Sequence, residues 1–155
     1  MNVEFINPFL SSLLNVLATM ANTRLEPGQP SIKNSEVALG DVSGMIGMVG
    51  PQTKGSMSIT FDEALALDIM QRMLGERPAN VNEEVTDMVG EITNMVTGGA
   101  KNLLGDKGYD FEMATPVVVA GKGHHLSHKC QGKTLLMPFN SAAGKAHIEV
   151  SFDTL

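Results

Sequence analysis

Cysteine occurs once in the 155 residues, as Cys130, so the chain cannot close an internal disulfide and has no second thiol for a cysteine-based zinc site. Nothing in it calls for an oxidising compartment. Basic residues are also few: 11 Lys and Arg stand against 17 Asp and Glu, a formal net charge of −6. No basic run is concentrated enough to neutralise a phosphate backbone, so a protein or small-molecule partner is expected rather than nucleic acid. Long apolar runs are missing too. Each is cut by Asp, Glu, Gly or Ser before it reaches the roughly 20 residues that span a bilayer, so no membrane insertion is expected. The first ten residues carry Glu4 where a secretory leader needs positive charge, and the first basic residue is Arg24. A cytoplasmic protein is expected.

What is present is ordinary globular material, 43% hydrophobic and 18% charged, which excludes global disorder. The length suits one domain, residues 1–155, burying about 70% of its unfolded surface. Asn7-Pro8 reads as a helix start, and Phe9, Leu10, Leu13, Leu14, Leu17, Met20 and Ala21 recur at three- and four-residue spacing, predicting a helix over 8–21. The segment 26–31, with two prolines and a glycine, is expected to be a surface connection. Small and β-branched residues over 36–61, broken at Gly50-Pro51-Gln52, predict a hairpin. Asp62 is the expected cap of a second helix that stops at Gly75. A third helix runs from Asn82 or Glu83 to about Leu104, with Gly105 as its stop, and strands follow at 115–120, 133–139 and 145–152. The fold class is therefore α/β: a single-domain sandwich with a largely antiparallel sheet and packed helices.

The third helix carries the informative pattern. Val85, Met88, Val89, Ile92, Met95, Val96, Gly99 and Leu103 form one apolar stripe. Glu84, Asp87, Glu91, Asn94, Gly98 and Lys101 form a second, polar one. A half-buried helix always shows polar side chains to water, so a solvated face is the bland explanation. Two residues argue for more. Asn94 is a poor helix former in mid-helix, and Gly98 costs about 1 kcal/mol relative to Ala while clearing space for an approaching surface. Glu91 and Asn94, three residues apart, place their Cβ atoms roughly 5–6 Å apart, so both can enter one small concave target. No nucleophile, metal cluster or cofactor loop accompanies them, and they suit a site completed by another protein.

The segment Asp87-Met-Val-Gly-Glu91-Ile-Thr-Asn94, followed by Met-Val-Thr-Gly-Gly-Ala100, resembles the D-x-x-x-E-x-x-N signature of the CheC/CheX/FliY phosphatases of bacterial chemotaxis. The Asn7-Pro8-Phe9 helix start and the single copy of the signature make it most similar to the CheX branch. Similarity extends through Lys54-Gly-Ser-Met-Ser-Ile-Thr-Phe61 and Met73-Leu-Gly-Glu76. The resemblance implies hydrolysis of the aspartyl-phosphate of the response regulator CheY, with Asn94 holding the attacking water and Glu91 engaging the regulator's lysine. It implies Mg²⁺ in the regulator, no cofactor or metal in this chain, and a homodimer. Asp87, Gly98 and Lys101 are the candidate partner-binding residues, and Pro116 is the candidate for the proline that the family pattern expects downstream. The main rival is a noncatalytic chemotaxis or flagellar-switch adaptor docking through the same helix.

Other motifs read as bland. A second E-x-x-N, Glu4 to Asn7, is discounted because Asn7 serves as the cap before Pro8. Ser12 and Asn15 repeat the spacing of Glu91 and Asn94, but Ser12 lacks a carboxylate. His124, His125 and His128 follow a Gly-Lys-Gly lead-in and are expected to be exposed, pH-sensitive histidines rather than metal ligands. Cys130 has no evident triad partner. Gly44-Met-Ile-Gly47 opens no helix, so it is not a phosphate-binding loop, and most of the 11 methionines are expected to pack the core.

Overall fold

Helix periodicity in the first segment produces α1 (Ile6–Ala21), which buries Phe9, Leu13, Val16 and Leu17. The computed structural model describes residues 5–51 and 53–153. Glu4 and Gln52 of the sequence arguments lie outside these. The start of α1 differs from expectation: Phe5 holds the cap position without a side-chain cap bond, and Asn7 and Pro8 lie inside the first turn. Proline is tolerated there because the first four helical amides have no partner within the helix.

The prolines of the next segment do not leave a bare connection. Residues 26–33 contain β1 (Glu26–Pro27) and β2 (Ser31–Lys33), both on the edge of the sheet and both antiparallel to β7 (Thr134–Asn140). An edge position accepts proline because one side of the strand needs no ladder partner. The expected hairpin is β3 (Val42–Val49) and β4 (Lys54–Phe61), fully paired and closed by Gly50 N–H donating to the Thr53 carbonyl at 2.9 Å. β5 (Glu112–Met113) and β6 (Val117–Ala120) pair with β3, and β8 (Lys145–Phe152) lies between β4 and β7. The sheet order is β1-β7-β8-β4-β3-β5, with β2 also on β7 and β6 also on β3.

Two helices complete the layer. α2 (Glu63–Leu74) ends at Gly75, whose φ of 82° is the left-handed conformation expected of it. Its start is held differently from expectation. Asp62 occupies the cap position, but its carboxylate accepts from Lys145 N–H at 2.8 Å, and Asp41 receives the free Glu63 N–H at 2.8 Å. α3 (Glu83–Gly105) is capped by Asn82, whose side chain accepts from Val85 N–H at 3.0 Å. Gly105 is its last residue rather than the stop; the reversal comes at Gly108, with φ 90°, as Tyr109 N–H reaches back to the Leu104 carbonyl at 3.0 Å.

All three helices lie on one face of the sheet. α3 crosses β3 at Gly44, where a Cβ would collide with Thr93 Oγ1. Thr93 in this contact, and Thr97 one turn further on, can be buried because each hydroxyl donates to a carbonyl one turn back, at 2.7 Å. They, with Ala100 and Leu104, occupy core positions, while Leu103 is 41% exposed and Met95 is half-buried. The apolar stripe is therefore rotated from the expected one at its C-terminal end. Ser12 is buried and donates to the Val96 carbonyl at 2.7 Å, with Gly99 directly opposite it. Its echo of Glu91 thus reflects helix–helix packing.

Candidate functional site

Because α3 buries its Val85, Met88, Val89, Ile92 and Val96 side, the opposite side faces solvent. There Asp87, Glu91 and Asn94 are all exposed. None of their side chains makes a hydrogen bond or ion pair among the described residues, so their polar atoms are free for an incoming molecule.

A groove of about 770 Å³ runs beside them. Thr86, Asp87, Gly90, Glu91 and Asn94 form one wall, and Ala114, Thr115, Pro116 and Val118 form the other. The second wall comes from the sheet edge. β5 and β6 both pair with β3, but the chain between them leaves the ladder, and Ala114 N–H reaches the Gly47 carbonyl at 3.0 Å. Pro116 sits in this break, where its missing N–H costs no ladder bond. This is why the strand expected at 115–120 begins at Val117. Gly90 brings the walls close: a Cβ there would lie 3.3 Å from Val118 Cγ2.

The structure thus brings Asp87, Glu91, Asn94 and Pro116 to one groove. Gly98 and Lys101 lie further along α3, outside its lining. A Cβ on Gly98 would meet nothing within 4 Å, so no packing within the chain requires glycine there. Among the described residues no group of three or more His, Cys, Asp or Glu is arranged to hold a metal ion, and no helix is long and apolar enough to cross a membrane.

The far face of the sheet holds polar chemistry that the sequence did not disclose. Glu149 is 1% exposed and accepts from Lys33 Nζ at 2.7 Å on one oxygen. Its other oxygen meets His128 Nε2 at 3.2 Å, and His128 Nδ1 pairs with Ser56 Oγ at 2.5 Å. His124 Nδ1–H donates to the Gly121 carbonyl at 2.6 Å, and its Nε2 pairs with the Ser43 hydroxyl at 2.7 Å. His124 and His128 are therefore half-buried ties to the sheet, and only His125 is exposed as expected. Burial pushes the Glu149 carboxyl up, but hydrogen bonds and charge from His128 and Lys33 outweigh this and hold it below its ordinary value. Burial pushes the Cys130 thiol up, with the Asp153 charge adding to it, so Cys130 is a poor nucleophile.

Fold and groove define a class: an α/β domain that presents a carboxylate and an amide from one long helix beside a wall built at a broken sheet edge. The chain belongs to the family described as chemotaxis phosphatase CheX, whose pattern matches residues 42–140. A CheC-like superfamily protein from Shewanella sp. PV-4 is 66% identical, with 99% of this chain and 100% of that one covered and a TM-score of 0.94. The chemotaxis protein CheX of Vibrio vulnificus is 68% identical over 97% of this chain and 99% of its own, at a TM-score of 0.92. The fold also recurs at 24% identity in the CheX–CheY–BeF₃–Mg²⁺ complex from Borrelia burgdorferi, over 99% and 100% of the two chains, at a TM-score of 0.82. A search of curated proteins returns no match.

Proposed function

We propose that this chain is a cytoplasmic phosphatase domain, residues 1–155, that hydrolyses the aspartyl-phosphate of a CheY-like response regulator. The observation that carries the reading is the exposed, unpartnered pair Glu91 and Asn94 in the groove faced by Pro116. The existence of a CheX–CheY complex in a relative of the same fold supports it.

The chemistry asks little covalent work of the phosphatase, since phosphoryl transfer depends chiefly on positioning and electrostatic stabilisation. Asn94 inserts its amide beside the phosphoryl group and holds a water in line. Glu91 ion-pairs with the regulator's active-site lysine and fixes the docking. The water oxygen bonds to phosphorus as the bond to the aspartyl oxygen breaks, releasing phosphate and a free carboxylate. The Mg²⁺ belongs to the regulator. Asp87, Gly98 and Lys101 extend the docking face along α3, and exposed strand edges offer backbone donors and acceptors for joining two sheets in a homodimer.

The test is the decay of phosphorylated CheY with Mg²⁺ present. Wild-type protein accelerates it, and Asn94→Ala loses about 100-fold of the acceleration while retaining most of the binding. Glu91→Ala loses both. Undiminished activity in both variants would refute the residue assignment, and binding without acceleration by the wild type would make the protein an adaptor. Light scattering at working concentration checks the dimer, which a purely monomeric mass would exclude.

A further inference from the structure

A second cavity, of about 440 Å³, opens on the sheet face opposite the helices. Its lining includes Met45, Gly47, Val49 and Val117, with Lys54 and Lys129 beside them. Gly47 is the informative residue. Glycine inside a strand weakens it, and usually marks a place where something must approach the backbone closely. At Gly44 that something is Thr93 of the same chain, and at Gly55 it is the Phe152 ring. A Cβ at Gly47 would meet nothing within 4 Å. Packing within the chain therefore does not demand glycine there, and the space above it is open.

The surroundings indicate what fits that space. Val117 is 62% exposed and Val49 63% exposed, giving the cavity apolar sides open to solvent. Lys54 is only loosely engaged, 3.8 Å from Asp153, and Lys129 is exposed with no ion partner among the described residues. The charged residues of the lining are these two cations, and Asp153, which shares Lys54, lies outside it, so Lys129 supplies the unpaired positive charge beside the hollow. At the polar floor Ser56 is tied to the His128 side chain, itself tied to Glu149.

From these observations we infer that the cavity over Gly47 is a binding site for a small apolar anion, an aromatic or branched aliphatic acid, with its apolar body over Gly47 and its charge toward Lys54 and Lys129. The site is separate from the α3 groove, although Ala114 and Thr115 line both. It stands whether or not the phosphatase reading holds.

The test uses the full chain and the fluorescent probe 1-anilinonaphthalene-8-sulfonate, an aromatic anion, at a temperature well below the melting transition. The expected result is saturable, one-to-one enhancement in the wild type. Gly47→Phe fills the hollow and weakens binding at least tenfold with an unchanged circular-dichroism spectrum; Gly47→Leu serves the same purpose if the larger residue prevents folding. Lys54→Gln with Lys129→Gln weakens the sulfonate several-fold but leaves the uncharged probe N-phenyl-1-naphthylamine unaffected. Equal binding by wild type and both Gly47 variants would overturn the inference. So would a wild type that binds no probe; loss of self-association on Gly47→Phe would then make the hollow a surface between two copies.

Discussion

The two faces of the sheet are built on opposite principles. On the helix side Val42, Ile46, Met57, Ile59, Ile148 and Val150 meet apolar helix stripes in one continuous core. On the other side Ser43, Ser58, Thr60, Glu149 and Ser151 are just as thoroughly buried, yet polar. They lie beneath chain segments that carry His124 and His128, with Lys33 reaching in from the sheet edge. The apolar face depends on filled volume rather than on paired directions, because burial is non-directional but the interior is close-packed. The polar face depends on partners, because an unpaired buried charge or hydroxyl is costly: Ser43, Thr60, Glu149 and Ser151 each have one, whereas Ser58 Oγ and His147 Nδ1 are buried without one among the described residues. The exposed groove beside α3 lies at the rim of the first face, where helix and sheet edge put Asn94 and Pro116 on facing walls.

The sharpest way to break this contrast is Glu149→Ala, which strands Lys33 and His128 without their acceptor. It is expected to cost about 3–5 kcal/mol in urea unfolding. Replacing the three residues together with apolar ones of similar volume recovers most of that loss, as a buried ion cluster can be exchanged for packing. A loss below about 1 kcal/mol in the single variant would mean that the cluster is solvated and the contrast overstated. On the apolar face the matching experiment is Gly44→Ala, whose methyl meets Thr93 Oγ1. Overpacking there is expected to cost about 1–3 kcal/mol, and pairing it with Thr93→Ala should relieve it.

Acid separates the faces by titration. Glu149 in the folded protein titrates below its ordinary 4.5, so its contribution is present above pH 4.5 and is lost as pH falls through the folded value. His147 is held below its ordinary 6.5 by burial, partly opposed by Asp62 and Glu149. The unfolded chain therefore takes up its proton first, and stability also declines below pH 6.5 on its account. Denaturation midpoints across pH 3–7 should fall toward acid, and the gap between wild type and Glu149→Gln should narrow. A constant gap would remove Glu149 from the acid response. The smallest expected effect is Gly98→Ala. Nothing obstructs the added methyl, and α3 should gain about 0.5–1 kcal/mol; a melting temperature that falls would show Gly98 to be structurally required.

The helices were the legible part of the sequence, since α2 and α3 fall where periodicity and the Asn82 cap place them. Errors arose where a polar residue found an internal partner. Thr93 and Thr97 do not figure in the expected apolar stripe, because spacing says nothing of hydroxyls bonded to their own helix. In β8 the alternation of His147, Glu149 and Ser151 with Ala146, Ile148, Val150 and Phe152 is what a solvated outer face would show, and only the covering segments reverse that meaning. At the site, Glu91 and Asn94 were readable because their spacing is local. The wall at Ala114–Pro116 was not, because its position depends on the pairing of β5 and β6 with β3.

By itself, then, the sequence determined the class of fold, the helices and the polar face of α3 that bears Asp87, Glu91 and Asn94. All of these follow from residues within a few positions of one another. Tertiary structure alone decided that Pro116 faces Asn94 across a groove, that Glu149 is buried between Lys33 and His128, and that Gly47 opens a hollow. Each joins residues distant in the chain, and the reason is physical: strand pairing sets such distances, and the partners a buried polar group needs are not encoded at its own position.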